Sequence, residues 1–259
     1  MVMGWFKGRR RRRVLAAPFP AAWRETLGRR VRHYQFLGAA QQERVRSIVQ
    51  VMLAEKEWAG AAGFNLTDEM KVTIAGIAGV MVSGYREPYF FDRLHTIVIH
   101  PGTIRFSQEQ ALANRFLPEP TPLDGVAWER GPVLLSWEAI RDERRGPSRG
   151  RNVVLHELAH HLDGLNGQME GIPPLDADGE SAWERVLEEE LERLEDDARN
   201  GEPLLLDYHA GESRAEFFAV ATECFFELPH ALRRRHPDLY GQLVRFYEQD
   251  PSQWLPRAD

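Results

Sequence analysis

The chain has 259 residues, of which 43% are hydrophobic, and it carries a formal net charge of −6. This length and apolar content predict one large folded domain, or a catalytic domain with a helical extension, and exclude a wholly disordered chain. The negative charge argues against a general nucleic-acid-binding protein. The single cysteine, Cys224, excludes an intramolecular disulfide framework.

The N-terminus carries a run of five arginines at residues 9–13, followed by a short apolar stretch that Pro18 and Pro20 interrupt. This pattern is a poor signal peptide, and it predicts a basic, flexible tail over residues 1–17. The alternative is a contact of the arginines with anionic lipid or nucleic acid. The longest apolar run, residues 72–82, has about half of the ~20 residues that a membrane span needs. We therefore expect a cytoplasmic protein without a membrane span.

Hydrophobic periodicity in the first half of the chain predicts mostly helices. Thr67 is a good N-cap for a helix that is apolar nearly all round and ends at Gly84, so this helix should be buried. Two other helices are predicted at residues 21–36 and 41–56. Strands are predicted at residues 94–100 and 133–137, a possible pairing strand at 103–106, and a proline-containing loop at 107–127.

The second half of the chain is predicted to be almost entirely helical. Ser181 and Glu184 form a capping-box pattern that should start a long acidic helix ending near Arg199. The many carboxylates of this helix indicate a solvated face. Other helices are predicted at residues 152–163, 213–227, 231–235 and 238–249.

The predicted helix at residues 152–163 contains the pattern His-Glu-x-x-His, with histidines at 156 and 160. Residues four apart lie on the same helix face, so both imidazoles can converge on one metal ion. Imidazole nitrogen is a good zinc ligand. Glu157 follows the first histidine and is suited to take a proton from water activated by the metal. The pattern predicts one catalytic Zn²⁺ per chain, against the alternative of a surface helix that carries two histidines.

A catalytic zinc typically has three protein ligands. A third histidine at the spacing H-E-x-x-H-x-x-G-x-x-H is excluded, because Asp163 and Asn166 occupy the glycine and histidine positions. Glu216 and Glu223 remain as candidates on one face of a later helix. Glu216 also fits a capping box with Ser213, and Glu223 also fits an orienting partner for a ligand histidine or a buried salt bridge.

Several segments together resemble the Mlc titration factor A family of zinc peptidases. They are HELAHHLD, AEFFAVATECFF and HPDLYGQLVRFYEQDP, with RRRRRVLAAPFPAAW, LTDEMKVTIA and GPVLLSWEAI nearer the N-terminus. The resemblance covers almost the whole chain and implies a gluzincin site similar to that of the anthrax lethal factor protease domain. It implies that His156, His160 and Glu216 bind Zn²⁺ and that Glu157 is the base. It further implies aminopeptidase activity and binding of a glucose-responsive repressor, Mlc.

One segment departs from the family pattern. The family usually has L-D-P-Y-G-A-T-N-P-A-E before the third ligand, and its tyrosine is thought to polarise the scissile carbonyl. Without gaps, His209 occupies the tyrosine position, and Tyr208 lies one residue earlier. Both side chains can donate a hydrogen bond, so Tyr208 and His209 are alternative candidates, with Tyr208 preferred for its residue type.

These observations predict an α+β, predominantly α-helical, zincin-like (gluzincin) metallopeptidase fold with a small sheet, in which the HExxH helix packs near a second, Glu-bearing helix. Residues 18–259 should form one domain, with a helical portion at about 18–90 and a catalytic portion at about 91–259. The expected function is zinc-dependent hydrolysis of a peptide or protein substrate, without direct nucleic-acid binding. The resemblance implies aminopeptidase-like activity and an Mlc-like repressor as a partner. The alternative is a non-catalytic protein that sequesters a regulator and carries a regulatory zinc site.

Overall fold

The computed structural model describes residues 2–102, 131–142 and 150–257, with side chains from Lys7 onward. The predicted strand at 103–106 and the predicted loop at 107–127 lie outside the described residues. The α-helices, in chain order, are α1 (Val2–Ala16), α2 (Ala21–Arg30), α3 (Ala39–Glu55), α4 (Asp68–Val82), α5 (Trp137–Asp142), α6 (Val153–Asp163), α7 (Ala177–Asn200), α8 (Arg214–Glu227), α9 (Pro229–Arg235), α10 (Pro237–Tyr247) and α11 (Pro251–Trp254). Short 3-10 helices are Arg32–Phe36, Ala61–Gly63, Gly164–Asn166 and Tyr208–Gly211.

A small parallel sheet lies among these helices. In the described part of the chain it has three strands in the order β1 (Glu57–Gly60), β2 (Thr96–His100) and β3 (Val133–Ser136). The register places Ile97 opposite Trp58 on one side and opposite Val133 on the other. The small sheet beside many helices confirms the predicted α+β, predominantly helical fold.

Helix α4 is the buried centre of the N-terminal half, as its all-round apolar sequence predicts. Every residue from Val72 to Val82 is buried. Its glycines let neighbouring elements approach closely, because a Cβ at Gly76 would lie 2.5 Å from a Leu27 methyl carbon and one at Gly79 would lie 3.2 Å from the Val45 Cα. The helix begins as predicted, with the Thr67 side chain accepting a hydrogen bond from the backbone N–H of Met70.

Two predicted helix boundaries were wrong. The helix predicted at 21–36 is interrupted at Val31, which is extended and packs its side chain against Gly76 of α4. The long acidic helix α7 begins before the predicted Ser181 cap, because Asp176 accepts a hydrogen bond from the Gly179 backbone N–H and provides an earlier N-cap. In the first case a packing contact with α4 ends the helix, and in the second case an N-cap five residues before the predicted one starts it.

The prediction of a flexible tail over residues 1–17 was wrong for residues 2–16, which form α1. Arg11 donates to both carboxylate oxygens of Glu55 at 2.9 and 2.6 Å, and it also pairs with Asp92. Gln50 of α3 donates to the backbone carbonyls of Val14 and Ala17. The arginine run is therefore anchored by partners 44 to 81 residues away in the sequence. Local sequence patterns do not show contacts over such a separation.

Helices α6 and α8 pack against each other and carry the predicted site residues. The predicted second Glu-bearing helix beside the HExxH helix is thereby confirmed. Aromatic side chains then join α8 to α10, including Phe218 with Phe246 and Phe225 with Tyr247. One apolar core runs through both halves of the chain, and the proposed division near residue 90 stays a prediction. None of the described helices is both long and apolar enough to cross a membrane.

Candidate metal centre

Helix α6 presents its polar residues on one side because its other side is embedded in the core. Asn152 caps the helix by accepting a hydrogen bond from the Leu155 backbone N–H at 3.2 Å. Val154, Leu155, Leu158 and Leu162 are at most 1% exposed. Their burial fixes the rotation of the helix and thereby the direction in which His156 and His160 point.

The first turn of α8 brings Glu216 to these two histidines. Ser213 caps α8 by accepting from the Glu216 backbone N–H at 3.1 Å. The Glu216 carboxylate lies 3.1 Å from His156 Nε2 through Oε2 and 3.3 Å from His160 Nε2 through Oε1. The two Nε2 atoms are themselves 3.2 Å apart. Three potential ligand groups from two helices, two imidazole nitrogens and one carboxylate, therefore converge.

This arrangement fits a small divalent metal ion. A tetrahedral zinc with bonds of about 2.0–2.1 Å holds its ligand atoms about 3.3 Å apart. The contacts between the two imidazole nitrogens and the carboxylate, at 3.1 to 3.3 Å, are of that size. Two imidazole nitrogens and a carboxylate oxygen are also the donor types that zinc accepts. Within the described residues, His156, His160 and Glu216 form the one group of three such side chains that meets in this way.

Glu223, one of the two glutamates considered from the sequence, contacts the other edge of His156. Its Oε1 lies 2.6 Å from His156 Nδ1, and its Oε2 accepts from the Asn152 backbone N–H at 3.2 Å. A proton on Nδ1 donated to Glu223 leaves the lone pair of Nε2 free for a metal. The predicted role as an orienting partner for a ligand histidine thus agrees with the observed contact.

The charges of these groups depend on each other. Burial opposes protonation of His156, but its hydrogen bonds to Glu216 and Glu223 outweigh burial and raise its pKa well above the ordinary value. Burial likewise opposes ionisation of Glu216, but hydrogen bonds from His156 and His160 outweigh it and lower the pKa of this carboxyl group. The cluster therefore holds an ionised carboxylate and attracts positive charge.

Glu157 lies beside this cluster and is 1% exposed. Its negative charge is among the contributions that raise the pKa of His156, so it lies within electrostatic range of that ring. A carboxylate in such a position has little access to bulk solvent. Its burial next to two histidines agrees with a functional role and is unlike the solvated glutamates of α7.

Tyr208 and His209 lie on the short 3-10 helix that precedes α8. The Tyr208 side chain is 73% exposed. His209 directs its Nδ1 to Glu212 Oε1 at 2.5 Å, with both side chains about half exposed. In the described part of the chain, neither residue forms a hydrogen bond with His156, His160 or Glu216, so their predicted role in catalysis stays a prediction.

Sequence reasoning missed the polar contacts that join the start of α6 to the end of α8. Asn152 donates from its side-chain amide to Glu227 Oε1 at 2.8 Å while its backbone N–H binds Glu223. The sequence signal for these contacts is the presence of Glu223 and Glu227 in the mostly apolar second half of α8. Burial of such groups requires partners, but the sequence does not identify them.

Comparison with known proteins supports a peptidase assignment for this arrangement. The sequence model described as glucose-regulated metallo-peptidase M90 matches residues 5–248. An uncharacterized protein of Synechocystis is 31% identical over 93% of this chain and 89% of its own length. Mlc titration factor A of Yersinia enterocolitica is 32% identical over 92% of this chain and 88% of its own length, and that of Yersinia pestis is 31% identical over 85% and 82%. The chain therefore belongs to the M90 family of glucose-regulated metallopeptidases.

Proposed function

We propose that this metallopeptidase is a zinc enzyme whose metal is held by His156, His160 and Glu216. The observation that carries the proposal is the convergence of two imidazole Nε2 atoms and one carboxylate, with separations of 3.1, 3.2 and 3.3 Å. When bound there, zinc would polarise the scissile carbonyl and lower the pKa of water. Glu216 is well suited to the site, because the N-terminus of a helix favours an ionised carboxylate.

Glu157 is proposed as the general base and acid. It takes a proton from the attacking water as the water oxygen bonds to the carbonyl carbon, and it passes that proton to the amine nitrogen as the C–N bond breaks. Its burial supports this role, because limited solvent access keeps the proton within the site. Glu223 holds His156 in the orientation that exposes Nε2.

The substrate is proposed to be a peptide, cleaved with aminopeptidase-like specificity. The family resemblance is the support for that specificity. Strand β3 pairs with β2 on one side and is a candidate for binding an extended substrate as an added strand. Tyr208, or alternatively His209, is proposed to donate a hydrogen bond to the oxygen that becomes negative during hydrolysis.

The names of the Yersinia relatives support a further partner. We propose that the chain also binds an Mlc-like transcriptional repressor, which would place it in the cytoplasm with that repressor. The same names favour the second candidate function, sequestration of a regulator without catalysis. An intact, buried Glu157 favours the enzyme, because a protein that only sequesters has no use for a base at this position.

The decisive experiment combines metal analysis with a peptide-library cleavage assay on wild type and Glu157→Gln. We expect about one zinc per chain in both proteins and cleavage by the wild type alone. A wild type that holds zinc, cleaves no peptide and still binds an Mlc-like repressor would support the sequestering function. A wild type that binds no zinc would contradict the proposed metal centre.

A further inference from the structure

Asp163, the last residue of α6, is a fully buried carboxylate with an accessible fraction of 0%. It lies three residues after His160, about one helical turn further along α6. Its Oδ2 accepts a hydrogen bond from the Gly171 backbone N–H at 2.8 Å. A buried carboxylate is costly without partners, so the burial of Asp163 at the end of α6 requires an explanation from its contacts.

Both backbone polar groups of Gly171, its N–H and its carbonyl, form hydrogen bonds with side chains. Asp163 binds its N–H, and the Trp183 indole N–H of α7 donates to its carbonyl at 2.7 Å. The backbone has a positive φ of +72°, which favours glycine. The loop between α6 and α7 is therefore fixed at this residue.

Gly171 also lies directly against the first turn of α8. A Cβ at this position would be 2.0 Å from the carbonyl oxygen of Arg214 and 3.0 Å from the backbone nitrogen of Ala215. Glu216 follows immediately on that turn. Only a residue without a side chain allows the loop and the start of α8 to approach this closely.

We propose that Asp163 and Gly171 are positioning residues for the metal centre, because they set the separation between the end of α6 and the first turn of α8. Glu223 already joins the start of α6 to α8 beside His156. The Asp163–Gly171 contact provides a second connection at the end of α6, beyond His160. A metal site needs its ligands held closely to the productive geometry, and two connections restrict sliding between the helices better than one.

The inference rests on the proposed zinc site and is tested through zinc affinity. Gly171→Ala should push the loop away from Arg214 and displace Glu216. Gly201→Ala is a matched control, because Gly201 has a φ of +71° but no atom within 4 Å of its Cβ position. Both substitutions carry the same backbone strain, and only the first changes the contact with α8.

Zinc dissociation constants are measured by competition with a chelator, at a temperature where circular dichroism shows each variant folded. We expect Gly171→Ala to bind zinc about 10–100-fold more weakly than Gly201→Ala, the range typical for residues that orient metal ligands. Asp163→Ala, which removes the acceptor, should also weaken zinc binding, whereas Asp163→Asn keeps an acceptor oxygen and should bind more tightly than Asp163→Ala.

Equal zinc affinity of Gly171→Ala and Gly201→Ala would overturn the inference, and the loop would then be only a structural anchor. If Gly171→Ala does not fold, wild-type zinc affinity of Asp163→Ala would overturn it instead. Either result leaves the proposed function intact as long as the wild type binds zinc and His160→Ala does not. A wild type without zinc affinity would instead contradict the proposed function itself.

Discussion

The imidazole of His156 lies between two carboxylates of the same helix, with Nδ1 2.6 Å from Glu223 Oε1 and Nε2 3.1 Å from Glu216 Oε2. The two glutamates are seven residues apart, so they occupy one face of α8. Each ring edge therefore has its own partner. This division supports the proposal that Glu216 is the metal ligand and that Glu223 orients the ring.

We expect Glu216→Ala to lose zinc, because it removes one of the three converging ligand atoms. Glu223→Gln should retain zinc with an affinity lower by about 10–100-fold, because it weakens only the hydrogen bond that orients His156. Zinc content after dialysis and chelator competition measure the two effects. The assignment is wrong if Glu216→Ala keeps full zinc while Glu223→Ala loses it.

Glu157→Gln should keep zinc and the fold but lose peptidase activity by ~10²–10⁴-fold, because it preserves shape and removes the general base. The measurement is kcat/KM with a chromogenic peptide, accompanied by metal analysis. Glu192→Gln, on the exposed face of α7, is the matched control and should leave kcat/KM unchanged. Wild-type turnover in Glu157→Gln would contradict the proposed mechanism.

Tyr208→Phe should lower kcat, by up to about 10²–10³-fold if its hydroxyl stabilises the developing negative oxygen. Zinc content and melting temperature should not change, because the Tyr208 side chain is 73% exposed. His209→Ala is the paired variant and should have a smaller effect. The reverse outcome, with a large effect only for His209→Ala, would assign the donor role to the imidazole.

Arg11→Ala should lower the free energy of unfolding by about 1–3 kcal/mol, because Arg11 makes paired hydrogen bonds with the largely buried Glu55 carboxylate. Arg12→Ala, an exposed position on the same helix, should change it by less than about 0.5 kcal/mol. Urea unfolding compares the two. Equal stability of the two arginine variants would contradict the anchoring of α1. A truncation that starts at Pro18 should also be less stable than the wild type but should still cleave peptide.

Lys56 should make stability depend on pH in alkaline solution. Burial lowers the pKa of Lys56 from 10.5 to about 8, while its Nζ donates to the Phe91 carbonyl at 2.6 Å. Between these two values the unfolded chain holds a proton that the folded chain has lost, so wild-type stability should rise with pH through this window. The shift corresponds to about 3 kcal/mol as an upper limit.

Lys56→Met lacks this titration. The difference in unfolding free energy between wild type and Lys56→Met should therefore move in favour of the wild type from about pH 8 upward. Urea unfolding at several pH values measures it. A difference that stays constant across this range would show that Lys56 is not desolvated in the folded protein.

Local patterns in the sequence were sufficient for much of the fold. The spacing of His156 and His160 placed both imidazoles on one helix face, because the helical period brings residues four apart together. The continuous apolar run of α4 predicted a buried helix, and Ser213 predicted the start of α8. These features depend on neighbours within a turn or two, so the sequence alone carries the required information.

The predictions that failed have two different causes, a partner far along the chain for α1 and a choice between two local caps for α7. The arginine run has the local pattern of a solvated tail. It forms a helix held against the rest of the chain, because Arg11 contacts Glu55 and Asp92. The start of α7 depended on which of two capping residues was used.

The sequence by itself therefore determined that His156 and His160 share one face of α6, and it restricted the candidate third ligand to two glutamates of α8. Only the tertiary structure decided which glutamate faces Nε2 and which faces Nδ1, because that depends on how α6 and α8 pack. It also decided the close approach of Gly171 to Arg214, which no local pattern shows. The physical reason is that ligand convergence is set by distances between helices, whereas sequence periodicity reports only positions within one helix.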